Sequence, residues 1–221
     1  MPRIIQLTND GSHTIAITEM EVTYHSHHGA VGESVHVYIE AGLHPLLKLS
    51  NKQTIHILEI GFGTGLNTLL TLKEAITHQQ KIHYTTIELY PLSQQEIETI
   101  NHGHILSMQK EFLQLHDAPW EQEVLINEYF TLNKRKLSLL DLPHIYPINT
   151  IYFDAFSPTI QPELWAQDVF EKLFQCLTPG GNLVTYCSKS IVRKAMTAAG
   201  FNVTKIPGPW GKREMVRAEK R

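Results

Sequence analysis

The segment Glu59–Gly65, with the sequence Glu-Ile-Gly-Phe-Gly-Thr-Gly, constrains the fold of this chain more than any other feature. The apolar run Ile55–Ile60 leads into it and predicts a buried strand, and the amphipathic run Leu66–His78 follows it and predicts a helix. Glycines at alternate positions permit a sharp turn and let backbone N–H groups approach a ligand beyond the carboxyl end of a parallel strand. The segment therefore predicts a ligand-binding loop in an α/β fold.

The spacing of the glycines narrows the choice of ligand. A dinucleotide loop would place its third glycine where this chain has Leu66, which weakens a nicotinamide or flavin site. A phosphate-binding loop is disfavoured because no Gly-Lys-Ser or Gly-Lys-Thr ending follows. Glu88 ends the next predicted strand, Ile82–Glu88, where an acidic residue accepts hydrogen bonds from ribose hydroxyls in nucleoside-binding folds. The alternative, a tight turn beside a surface carboxylate, stays open.

Strand and helix patterns alternate from residue 54 onwards, which predicts a parallel sheet built from βαβ units. Asp141 ends one β candidate and is either a partner for an adenine amino group or a turn aspartate. The remaining predicted elements are the strands Val124–Ile126, Lys136–Leu140, Asn149–Asp154 and Leu183–Cys187, the closing antiparallel pair Phe201–Ile206 and Glu214–Ala218, and the helices Ser93–Glu98, His104–Leu115, one from Pro162 that stops at Thr178, and Ile191–Ala199.

The first 50 residues have a different pattern. The β-prone runs Arg3–Leu7 and Thr14–Thr18 flank an Asn-Asp-Gly-Ser turn and predict a hairpin, and a helix is predicted near Val31–Leu43. We expect residues 1–50 to form an extension that covers the substrate side of a Rossmann-like domain over residues 51–221.

Charge is distributed unevenly along the chain. The formal net charge is −3, yet residues 189–221 contain nine Lys or Arg against two Glu, a local charge of +7. This basic end predicts either an edge that contacts phosphates or a solvated terminus. The two cysteines, Cys176 and Cys187, are predicted to be buried thiols. No segment approaches the roughly 20 apolar residues of a membrane span and no secretion signal is recognisable, so we expect a cytoplasmic enzyme without membrane contact.

Asp154 is the catalytic candidate. The predicted strand Asn149–Asp154 delivers its carboxylate to the edge of the sheet where Gly61–Gly65 also lies. An alkylamine with a pKa near ~10 is mostly protonated at neutral pH, and a carboxylate can orient it and accept its proton, directly or through water. An amine held in line in this way can attack an activated methyl group. The alternative role for Asp154 is to cap the following turn.

Four blocks of sequence, in this order, resemble the MnmD family, which comprises stand-alone relatives of the methyltransferase half of the bifunctional tRNA-modifying enzyme MnmC. They are Tyr24–Ser34, Leu58–Asn67, Asp154–Pro158 and Gly211–Met215, and together they span nearly the whole chain. The resemblance implies a class I S-adenosylmethionine-dependent methyltransferase fold, Rossmann-like, with a mostly parallel seven-stranded sheet and a C-terminal antiparallel strand. It also implies methylation of 5-aminomethyluridine, or its 2-thio form, at the wobble position of tRNA.

The resemblance also implies which residues form the site. S-adenosylmethionine would be the cofactor, with neither flavin nor metal, and the tRNA anticodon loop would be the partner. Since the chain has no room for a flavin-dependent oxidase domain, we expect a separate enzyme to supply the aminomethyl substrate. Asp154 would meet the amine; the cofactor residues would be Glu59, Gly61, Phe62, Gly63, Thr64, Gly65, Asn67, Glu88, Leu89 and Asp141; and the substrate residues would be Tyr24, His28, Glu33, Phe156, Pro158, Lys212 and Arg213.

Two other functions remain open at this point. A small-molecule amine or carboxylate methyltransferase is favoured by the acidic net charge, and a non-catalytic RNA-binding module would keep the fold without turnover. The neighbouring histidines His25, His27 and His28 do not predict a metal site, because alternate residues of an extended segment point apart and no ligand spacing completes a known set.

Overall fold

In the computed structural model, which describes residues 3–49 and 53–221, the strands form one large and one small sheet. The large sheet has eight strands in the order β10-β11-β9-β8-β4-β5-β7-β6. The small sheet contains β1 (Arg3–Leu7), β2 (His13–Ile17) and β3 (Val22–Thr23); the large sheet contains β4 (Ile55–Ile60), β5 (Ile82–Ile87), β6 (Glu123–Asn127), β7 (Phe130–Arg135), β8 (Ile148–Phe153), β9 (Leu177–Thr185), β10 (Asn202–Pro207) and β11 (Glu214–Glu219).

The centre of the large sheet is parallel. Strands β9, β8, β4, β5 and β7 run in one direction, while β11 lies antiparallel between β9 and β10. Buried apolar side chains such as Ile57 and Leu58 alternate on the two faces of β4, as a sheet covered on both sides requires. The predicted α/β class, the mostly parallel sheet and the antiparallel strand near the C-terminus are therefore confirmed.

The sheet has eight strands rather than seven because a hairpin forms one edge. β6 pairs antiparallel with β7, which itself lies parallel to β5. The predicted strand Lys136–Leu140 is wrong: the strand ends at Arg135, and Leu139–Asp141 is a 3-10 turn in which the Ser138 hydroxyl accepts a hydrogen bond from Leu140 N at 3.2 Å. β7 was missed because one of its buried positions is Lys134, which interrupts the apolar alternation.

Seven helices cover the sheets in the described ranges. The predicted helix Val31–Leu43 is part of a longer one, and the predicted helix His104–Leu115 is divided by Ser107, whose φ is 56°. The helices are α1 (residues 30–49, with α-helical turns at Ala30–Ser34 and His44–Leu49 around a π-helical segment Val35–Leu43), α2 (Leu66–His78), α3 (Gln94–Thr99), α4 (His102–Ile105), α5 (Gln109–Asp117), α6 (Gln167–Cys176, preceded by the 3-10 turn Pro162–Trp165) and α7 (Ser190–Ala198).

Two further predictions can be checked on the described residues. β9 begins at Leu177, six residues before the predicted start at Leu183, because the turn-prone Pro179 and Gly180 continue the strand across a shift in register. Cys176 and Cys187 are buried free thiols, as predicted. Among the described ranges, no helix combines the length and the apolar character needed to cross a bilayer.

Helix α1 packs tightly against the centre of the sheet at Gly42. A Cβ added at Gly42 would lie 2.9 Å from Val184 Cγ2 and 3.1 Å from Tyr152 Cε1, so only glycine permits this approach. The rings of Tyr38 and Tyr152 lie 5.3 Å apart in the same interface. The N-terminal helix thus shares a core with the sheet, and the division of the chain at residues 50 and 51, which lie outside the described residues, stays a prediction.

We predict that Gly42→Ala lowers the free energy of unfolding by about 1–3 kcal/mol, because the added methyl overpacks the contact with Val184 and Tyr152. The gain in helix propensity, about 1 kcal/mol, is too small to reverse the sign. Urea denaturation measures the change, and Lys48→Ala on the exposed side of the same helix serves as the control. An unchanged or raised midpoint for Gly42→Ala would contradict the packing described here.

Candidate active site

The glycine loop follows β4 and adopts a backbone that only glycine accepts easily. Gly61, Gly63 and Gly65 have φ angles of 94°, 51° and 73°. Gly61 N donates to Ile87 O at 3.0 Å, which continues the pairing with β5 past the end of the strand. A Cβ on Gly61 would lie 2.9 Å from the carbonyl oxygen of Asp154, so the loop touches the backbone that follows β8.

Glu88 stands beside this loop, directly after β5. Its Oε2 accepts a hydrogen bond from Gly63 N at 3.1 Å, and its Oε1 accepts one from Tyr90 N at 2.8 Å. Both bonds fix the carboxylate at the rim of the loop, and each oxygen keeps a lone pair for a further donor. The position therefore suits a carboxylate that binds vicinal hydroxyls.

The loop opens into one large cavity of about 1220 Å³ between the carboxyl edge of the sheet and the N-terminal residues 17–33. Its lining includes the apolar side chains of Leu137, Leu139 and Leu140 and the rings of Tyr24 and Phe156. Of the predicted cofactor residues, Gly61, Phe62, Gly63, Thr64, Asn67, Glu88 and Leu89 line it, whereas Glu59, Gly65 and Asp141 lie outside the lining.

The three predicted cofactor residues that do not line the cavity lie at different places around it. Glu59 is buried beneath the loop, where its Oε2 accepts hydrogen bonds from Thr68 at 3.1 Å and Thr86 at 2.7 Å. Burial raises the pKa of Glu59 to about 8. Gly65 packs on the inner side of the loop, since a Cβ there would meet His116 Nε2 at 2.9 Å. Asp141 is exposed at the end of the 3-10 turn, because the strand predicted to carry it is absent.

Asp154 lines the same cavity as Glu88. Its backbone N donates to Ile60 O at 3.0 Å, and its Oδ2 accepts a hydrogen bond from Asn67 Nδ2 at 2.9 Å. Burial raises the pKa of Asp154 to about 6, an effect that Glu33 reinforces and that Tyr38, Asn67 and Lys212 oppose. The group is therefore a carboxylate at neutral pH and takes up a proton in mildly acidic solution.

Two aromatic rings frame the side of the cavity next to Asp154. Tyr24 and Phe156 meet edge to face with ring centroids 5.2 Å apart. Tyr24 also covers the glycine loop, since a Cβ on Gly63 would lie 3.3 Å from Tyr24 Cδ2. Both rings line the cavity together with Asp154.

An ion pair between Glu33 and Lys212 also lines the cavity. Glu33, on α1, accepts a hydrogen bond from Ser26 N at 2.7 Å and one from Lys212 Nζ. The same ammonium group lies 4.3 Å from the centroid of the Tyr186 ring, and the Tyr186 hydroxyl donates to Ala155 O at 2.9 Å. The pair joins the N-terminal region to the loop between β10 and β11.

The structure brings most of the predicted substrate residues together. Tyr24, His28, Glu33, Phe156 and Lys212 line the cavity with Asp154, and His28 contacts Gly211. Pro158 and Arg213 are outside the lining, and Arg213 is exposed. The loops around residues 24–28 and 208–213 therefore meet over the cavity.

A buried polar layer behind the loop was not predicted from the sequence. Thr64 pairs its hydroxyl with His102 Nε2 at 3.1 Å, and its carbonyl accepts from His116 Nε2 at 3.1 Å. Burial lowers the pKa of His116 to about 4, so the ring is neutral. Lys134 Nζ donates to His116 O at 2.6 Å and lies 5.3 Å from the centroid of the Phe62 ring. These contacts join residues that are far apart in sequence, so no local sequence motif predicts them.

Comparison with solved structures supports the fold. MNMC2 from Aquifex aeolicus superposes with a TM-score of 0.78 and 24% sequence identity, over 99% of this chain and 70% of that chain. A probable spermidine synthase from Corynebacterium glutamicum has a TM-score of 0.55 at 14% identity, over 98% of this chain and 76% of that chain. At these sequence identities, both similarities show that the fold is shared.

Comparison with curated sequences finds relatives that are longer than this chain. The chain is 30% identical to the tRNA 5-methylaminomethyl-2-thiouridine biosynthesis bifunctional protein MnmC of Cupriavidus metallidurans over 96% of its length, and 31% identical to the protein of the same name in Leptospira interrogans over 87%. It spans 33% and 32% of those two proteins, about a third of their length.

The family comparison covers more than half of the chain. Residues 95–221, which include Asp154 and the loop between β10 and β11, match a model described as S-adenosyl-L-methionine-dependent methyltransferase. This match agrees with the glycine loop, the fixed carboxylate of Glu88 and the shared cavity. The chain thus belongs to the S-adenosyl-L-methionine-dependent methyltransferase family.

Proposed function

We propose that this enzyme methylates the exocyclic amine of 5-aminomethyluridine, or of its 2-thio form, at the wobble position of tRNA. The observation that carries the proposal is that the glycine loop, Glu88 and Asp154 all line one cavity. The names of the curated relatives, which refer to 5-methylaminomethyl-2-thiouridine biosynthesis, support the choice of substrate. A carboxylate facing an activated methyl group suits an amine acceptor.

The residues at one side of the cavity fit the methyl donor. The Glu88 carboxylate, fixed by Gly63 N, would accept hydrogen bonds from the ribose hydroxyls. Leu89 and the apolar wall of Leu139 and Leu140 would hold the adenine ring. Asn67 lines the same cavity, and its side chain also hydrogen-bonds with the buried Glu59 beneath the loop. S-adenosylmethionine supplies a methyl group that its sulfonium activates.

Asp154 would hold the attacking amine. As a carboxylate near pH 7 it accepts hydrogen bonds from the amine N–H groups, and Asn67 Nδ2 fixes the oxygen Oδ2. The amine attacks with its lone pair, so the N–C bond forms as the S–C bond breaks, and S-adenosylhomocysteine leaves. The proton that the product nitrogen must lose passes to Asp154 or to water.

The aromatic pair beside Asp154 fits the pyrimidine of the target nucleotide. Tyr24 and Phe156 would contact the uracil ring, and the ion pair of Glu33 with Lys212 would lie at its polar edge. A wobble base belongs to a single-stranded loop, so it can leave its stack and enter a pocket without opening a duplex. Trp210, in the loop that carries Lys212, is 85% exposed and would be available to stack on a neighbouring base.

Cations of the basic C-terminal part of the chain would bind the tRNA backbone. Arg213 lies at the loop that carries Lys212, and α7 carries Arg193 and Lys194. Cations that neutralise phosphates make binding salt-dependent. We further propose that the enzyme acts in the cytoplasm, that a separate enzyme supplies the aminomethyl group, and that neither flavin nor metal takes part in the methyl transfer.

A small-molecule amine methyltransferase is the second candidate, because the net charge of −3 is unusual for a protein that binds nucleic acid. The two candidates share the cofactor residues and Asp154. They differ in whether methyl transfer requires the tRNA chain around the modified base.

We predict that Glu88→Ala raises the Kd for S-adenosylhomocysteine about 10- to 100-fold, because hydrogen bonds to a charged group contribute about 1.5–3 kcal/mol. Isothermal titration calorimetry measures the effect. Glu98→Ala, on the exposed surface of α3, is the matched control and should bind like the wild type. Equal affinity of Glu88→Ala and wild type would remove Glu88 from the cofactor site.

We predict that the purified protein converts 5-aminomethyluridine to 5-methylaminomethyluridine in tRNA that lacks the methyl group, with nucleoside mass spectrometry as the readout. Asp154→Asn should lower kcat at least about 100-fold and leave the Kd for S-adenosylhomocysteine within about threefold. Asp168→Asn, exposed on α6, is the control. Methylation of the free nucleoside at the same kcat/KM as tRNA would favour the small-molecule candidate, and full activity of Asp154→Asn would exclude the role of Asp154.

We predict that Asp154→Asn is more stable than the wild type at pH 8 and equal to it near pH 4. The folded pKa of Asp154, about 6, is above its ordinary value of 3.8, so the stability from its bound proton is complete below 3.8 and is lost as the pH rises through about 6. Two pKa units correspond to about 3 kcal/mol. Urea denaturation from pH 4 to pH 8 measures the difference, and a difference that does not change with pH would contradict the raised pKa.

A further inference from the structure

Three side chains that commonly bind metals converge on the surface where α1 meets the end of α2. His44 Nε2 lies 2.8 Å from Glu74 Oε2, and His78 Nε2 lies 3.3 Å from the same oxygen. The candidate ligand atoms of all three residues lie within 4.8 Å of one another. The two helices are separate in sequence, so tertiary packing alone creates the cluster.

The local backbone explains why the cluster forms. Glu74 and His78 are four residues apart on α2, and side chains at this spacing share one face of a helix. His44 begins the last segment of α1 and faces them from the neighbouring helix. The His44 and His78 rings are 6.3 Å apart, which leaves space between them for one ion.

The distances fit a single bound ion. Zn²⁺ binds imidazole nitrogen and carboxylate oxygen at about 2.0–2.2 Å, so two ligand atoms of a tetrahedral ion are separated by roughly 3.3 Å. The separations of Glu74 Oε2 from His44 Nε2 and His78 Nε2, 2.8 Å and 3.3 Å, need only small side-chain rotations to reach this value, and all three ligand atoms lie within 4.8 Å of one another. The side chains are 38%, 21% and 49% exposed for His44, Glu74 and His78, so an ion can enter from solvent and keep a water as its fourth ligand.

From this geometry we propose that His44, Glu74 and His78 form a binding site for a divalent transition-metal ion of the Zn²⁺ type. Two imidazoles and one carboxylate favour such ions over Mg²⁺ and Ca²⁺, which prefer oxygen ligands. Among the described residues, this is the one group of three His, Cys, Asp or Glu side chains with converging ligand atoms. It lies outside the residues that line the active-site cavity.

The ion would join two helices that both carry active-site residues. Helix α1 bears Glu33 and Tyr38, and α2 begins at the glycine loop and bears Asn67. A bound ion stabilises the folded state in proportion to the logarithm of its concentration over Kd, because the unfolded chain has no assembled site. The site is structural, and the proposal is independent of the substrate that the enzyme methylates.

Calorimetric titration of the chelator-treated full chain with ZnCl₂ tests this proposal. We expect one Zn²⁺ per chain with a Kd of about 10 µM or tighter and a higher Tm when Zn²⁺ is present. His44→Ala, Glu74→Gln and His78→Ala should each weaken binding at least about tenfold and abolish the rise in Tm. All three side chains are partly exposed, so the variants should fold like the wild type.

His36→Ala is the matched control, because His36 pairs with Glu40 at 3.3 Å on α1 but has no third ligand in the cluster. It should bind Zn²⁺ with the affinity of the wild type. A Kd above about 100 µM, or tight binding that survives all three cluster substitutions, would overturn the proposal. In the second case the Zn²⁺ would be held by other histidines of the chain.

Discussion

The contact between the glycine loop and the backbone of Asp154 is the constraint on which the rest of the site depends. β4 and β8 are parallel neighbours, so their carboxyl ends lie at one edge of the sheet. Gly61 has no side chain, and the loop therefore rests on the Asp154 carbonyl where a Cβ would approach it to 2.9 Å. This contact places the glycine loop and the Asp154 carboxylate in one cavity, as the proposed two-substrate transfer reaction requires.

Burial sets the charge of the groups around that contact. Glu59, beneath the loop, has its pKa raised to about 8, and His116, behind the loop, has its pKa lowered to about 4. Both groups are therefore mostly neutral near pH 7 and act as hydrogen-bonding supports. Asp154 has a smaller upward shift, to about 6, and keeps its negative charge. The carboxylate that faces the cavity thus differs in charge from the carboxyl group that supports the loop.

The sequence predicted the parts of the fold that a local pattern encodes. β4, the glycine loop and α2 combine an apolar run, special backbone angles and an amphipathic run, and the structure has them at the predicted positions. β7 was missed because Lys134 is buried through contacts with Phe62 and Trp120, which are distant in sequence. The predicted strand Lys136–Leu140 is absent because β7 ends at Arg135, and the role predicted for Asp141 stays a prediction. The cluster of His44 with Glu74 and His78 needs the packing of α1 on α2, which no local pattern contains.

A crystal structure with bound S-adenosylhomocysteine is the most direct test of the central claim that one cavity joins the methyl donor to the target amine. We predict that the ribose hydroxyls contact the Glu88 carboxylate and that the sulfur faces the part of the cavity between Asp154 and Tyr24. Binding of the ligand outside this cavity, or with its sulfur turned away from Asp154, would show that the cavity does not join the two substrates.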